Sequence, residues 1–261
     1  APGHVGIMRV LILLVLAAVL AAADLRLVTW NVLADPADRI ERGAALREVL
    51  AAARADVICL QEVAPWFLDQ LTADRRFAGL RRTVIGDRVQ APGGCFLLSR
   101  WPIRARIEVL PSRLDRVALI ADVAHPQGDL RLAVIHLDSL IGSAWQEIRS
   151  RQLVATAKAL EGVDEALIVG DANFGDGEPE AQALPTTFRD AWAILHPGDP
   201  GLTWDRATNP RADAGSLPAE GSRRLDRVWL RTKAWEPVEM ERIGRPSQAG
   251  GIPPSDHYGL F

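Results

Sequence analysis

The alternation of hydrophobic and polar positions predicts a chain made mostly of short strands. Apolar residues, many of them β-branched, recur at every second position in runs that end at Gly, Pro or charged residues, which is typical of half-buried strands. Apolar positions with helical spacing predict two amphipathic helices, over residues 39–54 and 143–160. Strands are predicted over residues 25–30, 56–60, 80–85, 94–99, 104–110, 117–123, 130–136, 166–169, 224–230 and 257–261.

This order of elements predicts an α/β (α+β) fold. Many strands with few helices between them favour a four-layer α/β sandwich, in which two mixed β-sheets pack face to face and the helices lie outside. No repeat or low-complexity linker interrupts residues 24–261, so we interpret this stretch as one domain.

The first 23 residues form a separate N-terminal hydrophobic segment. An unbroken apolar run over residues 10–23 follows Met8-Arg9 and closes on three alanines, which favours a signal peptide. An uncleaved anchor and a misplaced gene start remain alternatives. The run is shorter than the ~20 residues of a spanning helix, so no stable membrane span is expected in the mature domain. The protein is expected to be exported, periplasmic or extracellular, if residues 8–23 are a signal peptide, and cytoplasmic otherwise.

Composition and charge narrow the class of protein. Hydrophobic residues make up 48% and charged residues 24%, which indicates a globular protein. A net charge of −3 argues against a protein that coats nucleic acid, although a local basic groove remains open among 30 Lys and Arg residues. Cys59 and Cys95 lie in apolar runs without the spacing of a zinc site or a redox pair. Buried free cysteines are predicted, with one disulfide as the alternative.

Polar residues follow six of the apolar runs. Each one alone is more often a turn residue, a helix cap or a satisfied core residue than a functional group. Six together predict a functional site, because strand ends collect at one edge of a sheet. The candidate catalytic residues are Asn31, Glu62, His136, Asp171, Asn173, Asp226, Asp256 and His257.

The chemistry of this set points to phosphate and a hard cation. Carboxylates and amides without cysteine suit Mg²⁺ better than zinc. Histidines and amides could offset the charge of a phosphate, and the carboxylates of Asp226 and Asp256 could orient the histidines. No Gly-rich loop followed by Lys-Ser/Thr is present, so no nucleotide cofactor is expected.

The polar residues that follow the six apolar runs stand in short motifs, and through these motifs the chain resembles the endonuclease/exonuclease/phosphatase (deoxyribonuclease-I-like) superfamily. The resemblance implies an enzyme, a Mg²⁺-dependent phosphodiester hydrolase in which Mn²⁺ could replace Mg²⁺. A monomer is expected. The matching motifs, in the order of that family, are Thr29-Trp30-Asn31, Leu60-Gln61-Glu62, His136-Leu137, Gly170-Asp171-Ala172-Asn173, Asp226-Arg227-Val228 and Ser255-Asp256-His257.

The resemblance also implies a metal site. Glu62 is expected to ligate the ion, with Asn31 and Asp256 close to it. Whether one or two ions act is left open.

The remaining residues are expected, by the same resemblance, to handle water and phosphate. Asp171 would orient or deprotonate the attacking water. Asn173, His136 and His257 would stabilise the pentacovalent phosphate. Asp226 would support this set or offer a further contact to metal.

A closer resemblance is to the 5′-tyrosyl-DNA phosphodiesterases. It is carried by His136-Leu-Asp-Ser139 followed by Arg149 and Gln152 on a helix, Leu202-Thr-Trp-Asp205, Arg224-Leu-Asp-Arg227 and the run from Pro254 to Leu260. It implies a DNA substrate, cleaved at a 5′ end. Trp204 would then help to wall the DNA groove, with a core tryptophan as the alternative. Arg116 is a second substrate-binding candidate, since a guanidinium fork suits phosphate.

Other functions remain open beside this one. An exported non-specific endonuclease and a phospholipid or sphingomyelin-type phosphodiesterase would use the same chemistry. The lipid enzyme should show exposed apolar loops, for which Trp66-Phe67 is the nearby candidate. A non-catalytic binding module is disfavoured because Glu62, Asp171 and His257 are all present.

Overall fold

The computed structural model describes residues 24–215, 220–246 and 253–261. The predicted N-terminal segment of residues 1–23 lies outside the described residues. In chain order the strands are β1 (Leu27–Asn31), β2 (Val57–Gln61), β3 (Arg81–Arg82), β4 (Val84–Ile85), β5 (Arg88–Val89), β6 (Phe96–Ser99), β7 (Ile103–Val109), β8 (Val117–Val123), β9 (Leu130–His136), β10 (Ala166–Asp171), β11 (Arg189–Asp190), β12 (Asp226–Arg231), β13 (Arg242–Ile243) and β14 (Gly259–Leu260). The α-helices are α1 (Arg39–Ala53), α2 (Pro65–Ala73), α3 (Ser143–Ala159), α4 (Ala191–Leu195) and α5 (Pro210–Gly215). Short 3₁₀ helices lie at Arg75–Phe77, Pro92–Gly94 and Pro179–Ala183.

Two six-stranded mixed sheets form the centre of the molecule. The first has the order β13-β14-β1-β2-β6-β3, and the second has the order β11-β12-β10-β9-β8-β7. Each sheet contains one parallel pair, β1 with β2 and β9 with β10, and the helices α1 and α3 make the two crossovers. The two halves therefore share one plan, a β-α-β unit flanked by antiparallel strands.

The hydrophobic residues of the strands alternate between two layers. Cys59, Leu97, Leu132 and Val169 belong to a core between the sheets. The residues at the alternate strand positions face the helices: Ile58 packs in one cluster with Leu50 of α1, and Ala133 packs in another with Leu153 of α3. The layers are thus helix, sheet, sheet and helix, which confirms the predicted four-layer α/β sandwich.

Both cysteines are buried in the core between the sheets and are free thiols. Burial raises the pKa of Cys95 to about 12. No helix in the described ranges is long and apolar enough to cross a membrane.

Candidate active site

The predicted site residues continue the inward-facing rows of their strands. Side chains alternate along a strand, so His136 follows Leu132 and Val134 on the face toward the other sheet, and Asp171 follows Val169. Strand pairing places Asp171 directly opposite His136 on one side and Asp226 on the other. A polar row therefore caps one end of the hydrophobic core.

Asn31 brings the first sheet to this row. At the end of β1, its Nδ2 donates to Asp171 Oδ2 at 2.9 Å and to Glu62 Oε1 at 3.1 Å. Its Oδ1 accepts from the N–H of Leu33. In this arrangement the amide nitrogen, rather than the oxygen, faces the carboxylates. The ligand role of Asn31 stays a prediction.

Glu62 reaches the site from a left-handed backbone conformation. It follows β2 with a φ of 56°, and Gly94 packs so closely that an added Cβ would lie 3.2 Å from the Glu62 Cα. The Oε2 of Glu62 accepts from the Ala34 N–H at 2.9 Å. Burial opposes ionisation, yet the His136 imidazole and the donors on Ala34 and Asn31 hold the pKa of Glu62 below its ordinary value.

His136 is oriented by Arg116. The Arg116 guanidinium lies 3.0 Å from Nδ1 of His136, which makes Nδ1 the acceptor and places the ring proton on Nε2. Nε2 lies 3.5 Å from Asp171 Oδ2 and 3.8 Å from Glu62 Oε1. Burial lowers the pKa of His136, so the neutral imidazole is favoured.

His257 and Asp226 form the complementary pair. His257 Nδ1 donates to Asp226 Oδ2 at 2.7 Å, and its Nε2 lies 3.7 Å from Asp171 Oδ2. Burial opposes the charged form, but the carboxylates of Asp226 and Asp171 raise the pKa of His257 well above its ordinary value. His257 is therefore an imidazolium held between two carboxylates.

Asp171 is the centre of the arrangement. Besides the contacts to its Oδ2, its Oδ1 accepts from the Asn173 N–H at 2.9 Å. Although burial opposes ionisation, His257, His136 and Asn31 hold the pKa of Asp171 below its ordinary value. Asn173, with a φ of 57°, turns its amide to the carbonyl of Leu137.

Asp256 is half-buried at the edge of this cluster. Burial raises its pKa, and the carboxylates of Glu62 and Asp171 add to this effect against the opposing His257. Ser255 fixes the segment, because its hydroxyl donates to the Asn31 carbonyl at 2.6 Å.

The charge of the donor set is suited to a divalent cation. Four carboxylates stand against two cations, Arg116 and His257, which leaves an excess of two negative charges. Among residues 24–215, 220–246 and 253–261, no group of three or more His, Cys, Asp or Glu could hold an ion alone. Mg²⁺ keeps several waters and uses one or two carboxylates together with substrate phosphate, which suits Glu62 and Asp256.

The two predicted substrate-binding residues are placed differently. Arg116 lines a cleft of about 400 Å³ together with Glu62, Gly93 and Gly94. Trp204 is only 7% exposed and packs with Ala212 and Leu225. Its burial supports the alternative of a core tryptophan.

Sequence reasoning missed the residue that fixes the start of β12. The Thr203 hydroxyl accepts from the N–H groups of Leu225 and Asp226, at 3.0 and 3.1 Å. The Thr-Trp-Asp motif contains Thr203, but its spacing does not show that the hydroxyl binds backbone atoms at the start of β12. Trp66, the candidate for membrane contact, donates its indole N–H to the carbonyl of Ala34, and Phe67 is fully buried.

A two-sheet sandwich with carboxylates, amides and histidines at one end defines a class of phosphate-ester hydrolases. The chain belongs to the Endonuclease/Exonuclease/phosphatase family, whose sequence profile matches residues 28–257. This match confirms the predicted resemblance and, at the level of the family, the expected phosphodiesterase or nuclease type of hydrolase.

The chain is similar to tyrosyl-DNA phosphodiesterase 2 from two vertebrates. The identity is 29% over 251 residues for Gallus gallus and 28% over 248 residues for Homo sapiens. The alignments cover 90% of this chain in both cases, and 65% and 66% of those relatives. The chain thus spans just under two thirds of their length.

A solved structure extends the likeness to the fold. The crystal structure of D. rerio TDP2 complexed with single strand DNA product superposes with a TM-score of 0.75 at 26% identity. The superposition covers 90% of this chain and 96% of that chain.

Proposed function

We propose that this chain is a Mg²⁺-dependent phosphodiesterase that hydrolyses phosphodiesters at DNA ends, with a 5′-tyrosyl linkage as its substrate class. The observation that carries the proposal is the environment of Asp171 Oδ2. This one atom accepts from Asn31 and has the Nε2 atoms of both histidines within 3.7 Å. A buried carboxylate ringed by N–H donors suits water activation beside a bound phosphate.

Asp171 acts on the attacking water in this proposal. Because its pKa is low, it is ionised at neutral pH, accepts a hydrogen bond from water and holds it in line with phosphorus. The proton moves to Asp171 as the new P–O bond forms, while the opposite P–O bond breaks and its electron pair leaves on the phenolic oxygen of the tyrosine.

The two histidines and Asn173 act on the phosphate. Asp226 holds Nδ1 of His257, and Arg116 holds Nδ1 of His136, so both Nε2–H groups point into the site. They are prearranged donors for oxygens that gain charge in the transition state. Asn173 keeps one amide hydrogen free of its bond to Leu137 for the same purpose.

Glu62 and Asp256 would hold the ion. When bound, Mg²⁺ supplies charge neutralisation and orients the phosphate. The excess of negative charge at the site supports this assignment, and Mn²⁺ would meet the same donors.

One panel of substrates tests the proposal. A 5′-tyrosyl oligonucleotide, plain duplex DNA and sphingomyelin are compared with Mg²⁺, Mn²⁺ or a chelator. We expect the tyrosyl oligonucleotide to react fastest, and no reaction with chelator. Faster cleavage within duplex DNA or of sphingomyelin would replace the proposed substrate class. Full activity with chelator would contradict the metal assignment.

Export of the protein is a separate proposal, motivated by the apolar run of residues 10–23. N-terminal sequencing of the protein from its native host tests it. A mature chain that begins near Asp24 is expected. A retained N-terminal segment on cytoplasmic protein would exclude a cleaved signal.

A further inference from the structure

Arg42, on the first turn of α1, is a buried arginine whose guanidinium hydrogen-bonds, within the described residues, to backbone carbonyls and lies over the Trp66 ring, 5.5 Å from its centroid. It is 2% exposed. Its five N–H donors bind five oxygens at 2.5–3.2 Å: those of Val32, Leu33, Asp35, Ala37 and Pro254. A guanidinium has five N–H donors, so this one is fully used.

Four of these carbonyls belong to the loop of residues 32–37, which follows Asn31. A fifth loop carbonyl, that of Ala34, accepts from the Trp66 indole at 3.1 Å. The oxygens of the loop are thus turned toward Arg42 and Trp66. Two of its N–H groups are turned the other way, to Asn31 Oδ1 and Glu62 Oε2.

The loop has a backbone conformation that needs such support. Leu33 has a φ of 60°, and Asp38, which follows the loop, has a φ of 51°. Non-glycine residues in the left-handed region cost about 1 kcal/mol or more, and persist where their surroundings fix them. The bonds from Arg42 to Val32 and Leu33 lie at the strained residue itself.

Arg42 also reaches the other end of the site. Its Nε donates at 2.8 Å to Pro254, the residue before Ser255-Asp256-His257. One side chain therefore connects the loop that binds Glu62 to the segment that carries Asp256.

The second β-α-β unit has the same arrangement, a buried arginine on the crossover helix that binds carbonyls of a loop. Arg149, on α3, is 1% exposed and donates to the carbonyls of Asp138 and Leu140 in the loop after His136. Leu140 has a φ of 84°. In both units a buried arginine on the crossover helix thus binds the strained loop that follows the first strand. Arg149 differs by an ion pair with Glu180, whereas the guanidinium of Arg42 hydrogen-bonds to carbonyls and lies over the Trp66 ring.

We propose that Arg42 is a positioning residue of the hydrolase, which holds the 32–37 loop and Pro254 so that Asn31, Glu62 and Asp256 keep their mutual geometry. This inference rests on the proposed function for its effect on turnover. Lysine cannot replace it, because an ammonium has three donors and no planar fork. A merely structural arginine would affect only the free energy of unfolding.

The test compares Arg42→Lys with Arg231→Lys as a matched control. Arg231 also donates to two backbone carbonyls, those of Leu160 and Val163. It lies at the far end of β12, about 17 Å along the strand from Asp226. Urea titration gives the folded fraction of each variant, and the two variants are compared at the same folded fraction. For Arg42→Lys we expect kcat to fall about 10–100-fold and the Mg²⁺ concentration for half-activity to rise several-fold, with KM nearly unchanged. Values within twofold of the parent would overturn the proposal.

Hydrogen exchange supplies a readout that needs no activity. In the parent, the amides of Leu33 and Ala34 should exchange at least ~100-fold more slowly than in an unstructured peptide, and ~10-fold faster in Arg42→Lys than in Arg231→Lys. Unprotected amides in the parent would overturn the proposal even if no Arg42 variant folds. If the parent hydrolyses no substrate but its Leu33 and Ala34 amides are protected, the proposed function is wrong. The part of the proposal in which Arg42 holds the 32–37 loop is then still supported.

Discussion

At the scale of single residues, the chemistry depends on how buried polar atoms are paired. Asp171 has both oxygens satisfied by N–H groups, and His257 is fixed by a carboxylate. Each of these groups has its orientation set before substrate arrives, which is the condition for electrostatic catalysis. Changing one atom of the set should therefore alter turnover more than it alters folding.

The change Asp171→Asn tests the proposed role of Asp171 in activating water. The amide keeps the shape but cannot accept the proton, so kcat should fall on the order of 10²-fold or more. The measurement is initial rate at saturating Mg²⁺ and substrate. Asp164→Asn, in an exposed ion pair with Lys233, is the control and should keep the parental rate. Near-normal turnover of Asp171→Asn would remove that residue from its role.

The buried imidazole of His125 should make the free energy of unfolding depend on pH. His125 lies between Trp101 and Trp235. The centroid of its ring is 4.3 Å from that of Trp101 and 4.7 Å from that of Trp235. Burial lowers its pKa below 6.5, and Asp56 opposes this only in part. The unfolded chain then binds a proton more readily. The contribution to the free energy of unfolding is present above about pH 6.5 and is lost as the pH falls toward the folded-state pKa.

Urea unfolding of the parent and of His125→Phe, from pH 8 to pH 5, measures this effect. The parent should lose more stability than the variant below pH 6.5. Equal losses in the two proteins would assign the acid sensitivity to other groups.

The sequence indicated which polar residues end the strands, but it did not indicate the side chains that hold these strand ends in place. Asp171 and His136 stand out because they end apolar strands, and period-two alternation carries them to the inner face. Arg42 and Thr203 bind backbone atoms, and such bonds leave no spacing in the sequence. Their roles emerge only when residues distant in the chain become neighbours.

At the scale of elements, long strands were predictable and short ones were not. The predicted bounds of β8 and β9 match the structure, because seven residues carry a full alternation. The single strand predicted over residues 80–85 is wrong: Thr83 separates β3 from β4, and its hydroxyl donates to the Leu97 carbonyl. Two-residue strands such as β13 exist only through their partners.

The close approach of β9 and β10 gives a prediction at this scale. Gly170 has a φ of 132°, and an added Cβ would lie 2.1 Å from the Ile135 carbonyl oxygen. Gly170→Ala should lower the free energy of unfolding by at least about 2 kcal/mol. Urea unfolding measures it. Gly79→Ala is the control, since nothing lies within 4 Å of its added Cβ, and it should change stability little. Equal stability of the two variants would contradict the close approach.

At the scale of the whole molecule, the core between the sheets seals two thiols. Cys59 and Cys95 are both 0% exposed, and burial raises the pKa of both. The thiolate is the reactive form, so neither residue should react with an aromatic disulfide reagent in the native protein. Thiol titration should count none before unfolding and two after it, for the two cysteines of the sequence. Fast labelling of native protein would show that the sheets separate locally.

The joining of the Asn31 end of β1 to the segment of His257 has a consequence for synthesis. The Trp30 indole donates to the His257 carbonyl, across 227 positions of the chain. A ribosome that has translated as far as residue 250 has delivered nearly every strand, yet the growing polypeptide lacks Asp256 and His257. The proposed active site therefore cannot assemble until the segment that carries Asp256 and His257 has been synthesised, however early the other strands have formed.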